Sequence, residues 1–556
     1  MTKQVFNPYL PSFEYVPDGE PHVFGDRLYV FGSHDRFNGK GFCPNDYVCW
    51  TTPLTDLSDW RYEGVIYRKD QDPENPKGRL ALYAPDVAEG PDGRFYLYYE
   101  LVTKPFISVA VANRPEGPYT FYGYVHHEDG TRYGEAKGDA FGFDPGILVD
   151  EDERIYMYTG FAPARGPLLT LARIKGGEYG YGYVVELQPD MLTIIGKQER
   201  TIPGEPNTRK TGFEGHGFFE ASSPRKIGNL YYLVYSSSLS HELCYATART
   251  PLGPWNYGGT IISIGDIGLP GVTEEKARNF LGNTHGGLCE INGQWYIFYH
   301  RQTNQQRCAR QGCAEPVTIT YDGVIEQVEV TSCGLNGGPL PGSGTYEARI
   351  ACNLSAQEGV YTYLKDSQKD KNYPFFTQSG EDRENNPDQY IANLQDGSWC
   401  GFKYFRFSGE DRLTVRTRGT AKGSLFISTE QNGGVFGSVP IMPSKVWRET
   451  TVTINPVTGE RTAVYFRFRG EGELDFMRFT LEKSGEETDP LLRHADESTA
   501  FVREAFEKVT DPGFIAPLQA IEDVAKKEKE ERIADQNGAS SFFYSASPSE
   551  DAEERG

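Results

Sequence analysis

Gly25-Asp26-Arg27-Leu28-Tyr29-Val30, Asp92-Gly93-Arg94-Phe95-Tyr96-Leu97, Asp152-Glu153-Arg154-Ile155-Tyr156-Met157, Gly228-Asn229-Leu230-Tyr231-Tyr232-Leu233 and Asn292-Gly293-Gln294-Trp295-Tyr296-Ile297 share one pattern. Each opens on turn-forming Asp, Gly or Asn and runs into a short strand centred on Tyr. The shared Tyr recurs at 29, 96, 156, 232 and 296, a spacing of 60 to 76 residues. That is longer than a typical propeller blade. Ten to twelve positions upstream of each Tyr stands an ionisable residue: Asp18, Asp86, Asp144, Glu220 and His285. A repeat with titratable groups at one register can build a single site from distant parts of a chain.

The repeat extends outward. Ala112-Asn113-Arg114-Pro115-Glu116-Gly117-Pro118-Tyr119 reappears as Ala248-Arg249-Thr250-Pro251-Leu252-Gly253-Pro254-Trp255, each copy downstream of a Tyr strand as an outer strand and its turn would be. Five such antiparallel units predict a five-bladed β-propeller over residues 1–335, with 38–45 and 204–212 as inserted loops. Innermost strands line the axis of a propeller. The five register positions should therefore converge at one end of the channel.

Gly337-Gly338-Pro339-Leu340-Pro341-Gly342 reads as a linker. Alternating segments at 402–407, 412–415, 424–427 and 464–468 then predict a β-sandwich over 336–485. Residues 486–556 change again: helix formers and charges at 494–509 and 517–534, then a polar tail at 540–556. This extension could pack on the body or bridge subunits, which leaves the oligomeric state open.

Composition narrows the function. With 62 Gly, 35 Pro and 13% aromatics in 556 residues, the chain is built of short strands and turns rather than helical bundles. A net charge of −22 argues against nucleic acid or an anionic membrane as partner. The first residues form no apolar leader, no stretch has transmembrane length, and nine scattered cysteines match no zinc or redox spacing. A cytoplasmic protein with reduced thiols is the expectation. There is no HExxH, no nucleophile elbow and no phosphate loop.

Paired carboxylates can hydrolyse a glycosidic bond, one protonating the leaving oxygen while the other activates water. A third carboxylate nearby raises the acid's pKa by like-charge repulsion. Sugars suit the site because their faces stack on aromatic rings.

The motifs around these positions resemble glycoside hydrolase family 43, five-bladed propellers acting on pentose-containing polysaccharides. Asn7-Pro8-Tyr9-Leu10-Pro11 and Pro17-Asp18-Gly19-Glu20-Pro21 are similar to the opening segment with the general base, which makes Asp18 the base; Gly19 stands where Pro is usual. Phe143-Asp144-Pro145-Gly146 resembles the segment whose Asp modulates and orients the acid, and Phe219-Glu220-Ala221-Ser222-Ser223-Pro224 the segment with the acid, Glu220. Tyr83-Ala84-Pro85-Asp86 resembles the Trp-Ala-Pro motif, where Asp86 lines or supports the pocket. Thr284-His285-Gly286-Gly287 resembles the segment whose His faces the central cavity, where members often hold Ca²⁺ or water; His285 is the candidate metal ligand, and no cofactor is otherwise required. Arg310 in Ala309-Arg310-Gln311-Gly312 is the candidate substrate-binding Arg, with Arg301 as its competitor. His34 and Asp35, after the first Tyr strand, either line the sugar subsite or end a strand.

The second domain resembles family 6 carbohydrate-binding modules through Tyr390-Ile391-Ala392-Asn393, Asp396-Gly397-Ser398-Trp399, Tyr404-Phe405-Arg406-Phe407 and Leu474-Asp475-Phe476. It either binds sugar or braces the propeller. Together the resemblances imply an exo-acting, inverting glycosidase releasing terminal pentoses from xylan- or arabinoxylan-derived oligosaccharides. β-D-xylosidase is favoured over α-L-arabinofuranosidase, or both activities coexist. A sugar-binding propeller without catalysis is the non-enzyme alternative.

Overall fold

Five antiparallel sheets carry the five Tyr repeats, each a meander in chain order. Blade I comprises Glu20–Phe24, Arg27–Phe31, Tyr47–Pro53 and Arg61–Tyr67, and blade II Leu82–Glu89, Phe95–Leu101, Ile107–Ala112 and Thr120–Tyr124. Blade III comprises Gly146–Val149, Ile155–Thr159, Tyr181–Leu187 and Ile194–Pro203, and blade IV Phe218–Ile227, Leu230–Ser237, Glu242–Ala248 and Asn256–Ser263. Blade V has three strands, Leu288–Ile291, Gln294–Thr303 and Gln306–Val317. The expected five-bladed propeller is thus the observed fold. This computed structural model describes residues 4–163, 178–362, 370, 372–382 and 388–485; the helical extension expected at 486–556 lies outside them.

The repeated Tyr sits on the second strand of every blade and is buried in all five. Its place in the core explains the repeat. Tyr29 packs in one cluster with Val87 and Leu97 of blade II, and Tyr96 with Ile147 and Met157 of blade III. Tyr156 packs with Leu233 and Tyr235 of blade IV, and Tyr232 with Ile297 and Tyr299 of blade V. Each of these four rings is a wedge between one blade and the next, and burying such a side chain contributes about 1.5–3 kcal/mol before entropy is counted. Twisted sheets meet face to face around the ring, so a large flat side chain at one register fills each gap.

Blade V is closed by the start of the chain. The buried Asn7 side chain donates to Ala314 O (2.9 Å), Glu315 Oε1 (2.8 Å) and Thr331 O (3.1 Å), and accepts from Ala314 N (2.9 Å). The Tyr9 N–H donates to Gly312 O at 3.2 Å. These bonds occupy the edge that a three-stranded sheet would leave open. A parallel bridge between Gly19 and Gly286 joins blades I and V at the axis.

Residues beyond the propeller form ten strands, Leu340–Pro341 through Leu474–Glu482, joined in one hydrogen-bonded network. Its two longest strands, Trp399–Gly419 and Ser444–Glu471, pair along most of their length and enclose a core with Phe402, Phe405, Phe466, Phe476 and Phe479. This C-terminal sheet domain packs on blades I and V. Asp382 accepts from Arg36 Nε (3.2 Å) and the Phe37 N–H (2.7 Å), Gln378 Oε1 accepts from the Tyr15 hydroxyl (2.6 Å), and Lys403 Nζ reaches Asp266 (3.2 Å) and Glu329 (3.0 Å).

The innermost strands approach so closely that some positions admit no side chain. A Cβ on Gly146 would lie 2.1 Å from Ser222 O of blade IV. Gly146→Ala should therefore lower stability by about 1–3 kcal/mol, read as a shift of the urea unfolding midpoint. An unchanged midpoint would show that the blades can separate there at no cost.

Candidate functional site

Strand pairing shows which register positions are equivalent. The innermost-strand partners of the five Tyr residues are His22, Ala88, Leu148, Arg225 and Cys289. Asp18, Asp144 and His285 each lie four residues before their partner. Glu220 lies five before, with β-bulges absorbing the extra residue. Asp86 lies only two before its partner, and the position equivalent to Asp18 in blade II is Ala84. The ring at the channel mouth is therefore four-membered, and Asp86 sits further along the channel.

The contacts follow this division. Asp18 Oδ1 lies 2.7 Å from Arg310 Nη1, 3.3 Å from His300 Nδ1 and 3.9 Å from His285 Nδ1. Asp144 Oδ2 lies 3.6 Å from His285 Nδ1 and accepts from the Ala221 N–H at 3.0 Å, next in sequence to Glu220. Asp86 is fully buried: it bonds His22 Nε2 at 2.7 Å and accepts from the Val87 and Ile147 N–H groups at 2.7 Å each. The last bond staples blade II to blade III. Asp18 (φ +56°), Asp144 (φ +47°) and Ala221 (φ +70°) all adopt left-handed backbone, a conformation that costs a non-glycine residue roughly 1–3 kcal/mol and persists where surrounding contacts enforce it.

One buried guanidinium sets the electrostatics. Arg310 binds Asp35 through Nε (2.8 Å) and Nη2 (3.1 Å) while its Nη1 holds Asp18. Burial pushes the Asp18 carboxyl up, but the charge of Arg310, with His300 and His285 nearby, brings it down to about 2. Arg310 is spent on Asp18 and Asp35. Among the described residues no Lys or Arg pairs with Asp144 or Glu220. Burial and the Asp18 charge raise Glu220 to about 8, and burial with Glu220 and Asp18 raises Asp144 well above the carboxylate range. Burial also lowers His285 to about 4 and His300 to about 3, so both are neutral near pH 7. His300 Nδ1 accepts the Asp18 N–H at 3.2 Å, which places its proton on Nε2.

The remaining expected residues divide. Asp35 and Arg310 belong to this cluster. His34 stands behind it, bonding Glu14 Oε1 (3.0 Å) and Asp46 O (2.8 Å). Arg301 lies at the seam with the C-terminal domain, where it donates to Ala351 O (2.7 Å) and Arg349 O (2.5 Å) and stacks on Phe376. His285 Nε2 lies 3.9 Å from Glu20 Oε1, a buried atom with no hydrogen-bond partner. Among the described residues, two groups have metal-ligating geometry: Glu20, His22 and Asp86 beside the axis, and His216, Glu242 and Cys244 in blade IV.

Two features went unread in the sequence. Glu100, 2% exposed, accepts the Asp144 N–H at 3.1 Å. Its signal was present: it is the only charged residue in the buried strand Phe95–Leu101. A row of rings also runs beside the carboxylates, Tyr83 against Phe143 (6.3 Å), Phe143 against Phe161 (4.5 Å) and Phe161 against Phe219 (5.4 Å). Phe143 and Phe219 directly precede Asp144 and Glu220, so the segments that bring the carboxyls bring the apolar wall. Phe42 adds a ring 4.8 Å from the Arg310 guanidinium.

A propeller with buried, unevenly charged carboxyls at its mouth holds the groups that hydrolysis of a glycosidic bond requires, and sequence comparison gives the class. The profile of Glycosyl hydrolases family 43 matches residues 15–325. A xylosidase/arabinosidase of Thermoclostridium stercorarium is 50% identical over 484 residues, 86% of this chain and 99% of that protein. A xylosidase/arabinosidase of Bacteroides ovatus is 29% identical over 52% of this chain and 87% of its own. An arabinoxylan arabinofuranohydrolase of Paenibacillus polymyxa is 25% identical over 85% of this chain and 75% of its own. The chain belongs to glycosyl hydrolase family 43 and is a glycosidase.

The Asp86 staple is open to test. Asp86→Ala leaves the Ile147 N–H buried and unpaired and should cost about 1–3 kcal/mol in urea unfolding. Asp86→Asn keeps an acceptor for Ile147 and a donor for His22 but loses the acceptor for Val87, and should recover part of that loss. Equal stability of all three proteins would remove Asp86 from the structural framework.

Proposed function

We propose that the protein is an exo-acting, inverting glycosidase that releases terminal pentoses from xylan- or arabinoxylan-derived oligosaccharides, with β-D-xylosidase ahead of α-L-arabinofuranosidase. The observation that carries this reading is the unequal pairing of two carboxyls on one mouth: Arg310 Nη1 holds Asp18 at 2.7 Å, while among the described residues no Lys or Arg pairs with Glu220. Asp18, at about 2, is ionised, while Glu220, at about 8, keeps its proton at neutral pH. Glu220 is the general acid and protonates the leaving oxygen; Asp18 is the general base and removes a proton from the attacking water. Asp144 holds the backbone beside Glu220 and, when charged, opposes ionisation of the acid. Arg310 keeps Asp18 charged and, with Asp35 and the ring row, lines the sugar subsite. The names of the relatives support the pentose assignment.

In the same proposal the C-terminal domain braces the propeller, consistent with Arg301, Lys403 and Asp382 all being engaged across the seam. The hydrolytic step needs no cofactor. A Ca²⁺ ion on the axis would find His285 Nε2 and the unpartnered Glu20 Oε1 as protein donors, with water completing its shell. A cytoplasmic location accords with nine buried cysteines held as thiols. No helix among the described residues is long and apolar enough to cross a membrane.

Glu220→Gln and Asp18→Asn should each lower turnover of the oligosaccharide by about 10²–10⁴-fold. Near-normal rates would reject the pair. Wild-type kcat/KM should fall on the alkaline side near pH 8, where Glu220 loses its proton; Asp18 stays ionised down to about pH 2, so its acid limb lies far below neutrality. A screen of 4-nitrophenyl β-D-xylopyranoside, α-L-arabinofuranoside and β-D-galactofuranoside assigns the sugar. NMR of the first-formed anomer distinguishes inversion from retention.

A further inference from the structure

Glu100 lies on the second strand of blade II, one residue before its end, among Tyr98, Tyr99 and Leu101, all fully buried. A carboxyl there loses its hydration, and no Lys or Arg among the described residues compensates it. Its Oε2 accepts the N–H of Asp144 at 3.1 Å. Asp144 in turn holds left-handed backbone, and its own carboxyl accepts the N–H of Ala221, also left-handed and adjacent to Glu220. Two successive side-chain-to-backbone bonds thus run from blade II to blade III and from blade III to blade IV. Both end on backbone that would otherwise relax from a costly conformation.

We propose that Glu100 is a positioning residue for the general acid: by fixing the backbone of Asp144 it sets, through the Asp144–Ala221 bond, where the Glu220 carboxyl stands relative to the leaving oxygen. The proposal rests on the assignment of Glu220 as acid. Burial, together with the charges of Asp144 and Glu220, raises the Glu100 carboxyl well above the usual range. The donor is a neutral backbone N–H, so the bond needs an acceptor and not a charge. Glutamine is then its isostere. Aspartate, one methylene shorter, falls short of the Asp144 N–H.

A misplaced acid has a distinct kinetic signature. Departure of 4-nitrophenolate needs little protonation, whereas departure of a sugar hydroxyl depends on it. The experiment compares wild type, E100D, E100Q and E220Q on the 4-nitrophenyl glycoside of the pentose the enzyme releases and on the corresponding natural disaccharide. E100D should lose about tenfold to a hundredfold in kcat on the disaccharide and no more than about threefold on the 4-nitrophenyl glycoside. E100Q should stay within about threefold of wild type on both.

Equal losses of E100D on the two substrates, no loss on either, or failure of E100Q to restore turnover would each overturn the proposal. E220Q is the control for the underlying assignment. If it shows no leaving-group-selective loss, the acid is misassigned and the positioning role falls with it; if it does and E100D does not, only the positioning role is lost. Should E100D fail to fold, E100A removes the acceptor while leaving room for water and is judged by the same contrast.

Discussion

A single buried cation answers two carboxylates at the mouth of this propeller, and the chemistry depends on that shortage. Arg310 pairs with both Asp35 and Asp18, which keeps Asp18 ionised although it is almost fully buried. Nothing comparable reaches Asp144, Glu220 or Glu100 among the described residues. The same desolvation that Arg310 overcomes at Asp18 therefore prevails at the other three, and they hold protons where isolated carboxyls would not. Had a second arginine been present, the acid would ionise below neutrality. With none, the base would not be charged. The asymmetry comes from counting cations, and the fold does the counting by bringing one strand of blade V to the carboxylates of blade I.

Much of this was legible in the sequence because the fold repeats. The Tyr at 29, 96, 156 and 232 marks a recurrent geometric need, a wedge between neighbouring blades, and a recurrent need leaves a recurrent residue. The ionisable residue upstream followed for the same reason. Its flaw was that spacing along a chain blurs strand register. Asp86 stands ten residues before its Tyr and Asp18 eleven, yet pairing puts them two residues apart in register. A shift of two keeps the face of a strand but changes the depth, and depth separates a staple from a mouth residue.

Residues without a repeat were harder to read. At the register of Glu100, four residues past the repeated Tyr, blade I has Ser33 and blade V His300, each also accepting an N–H from the next blade's innermost segment. The residue type changes from blade to blade, so only its incongruity in the apolar strand Phe95–Leu101 could have marked it. In sequence Arg310 was the candidate for the substrate-binding arginine and Arg301 its competitor. They are nine residues apart, on adjacent strands of one blade, and Arg301 pairs with Gln311. The alternation of the pleat therefore turns the neighbouring Arg310 to the other face, toward the carboxylates, and leaves Arg301 at the seam with the C-terminal domain. A motif reports which residue types are present; pairing decides which way they travel.

The closure of blade V by the chain start also orders events in time. Asn7 finds its partners at Ala314, Glu315 and Thr331, and the Asn336 side chain bonds the backbone of Val5. During synthesis the segment around Asn7 must wait for residues 314–336, more than three hundred positions further along, before these bonds can form. Asp18 sits at the inner end of that waiting segment. Its left-handed backbone, its His300 contact and its Arg310 partner all come from the last blade or depend on it. The base thus gains its Arg310 and His300 partners only once residues 300–310 of the last blade stand beside the first.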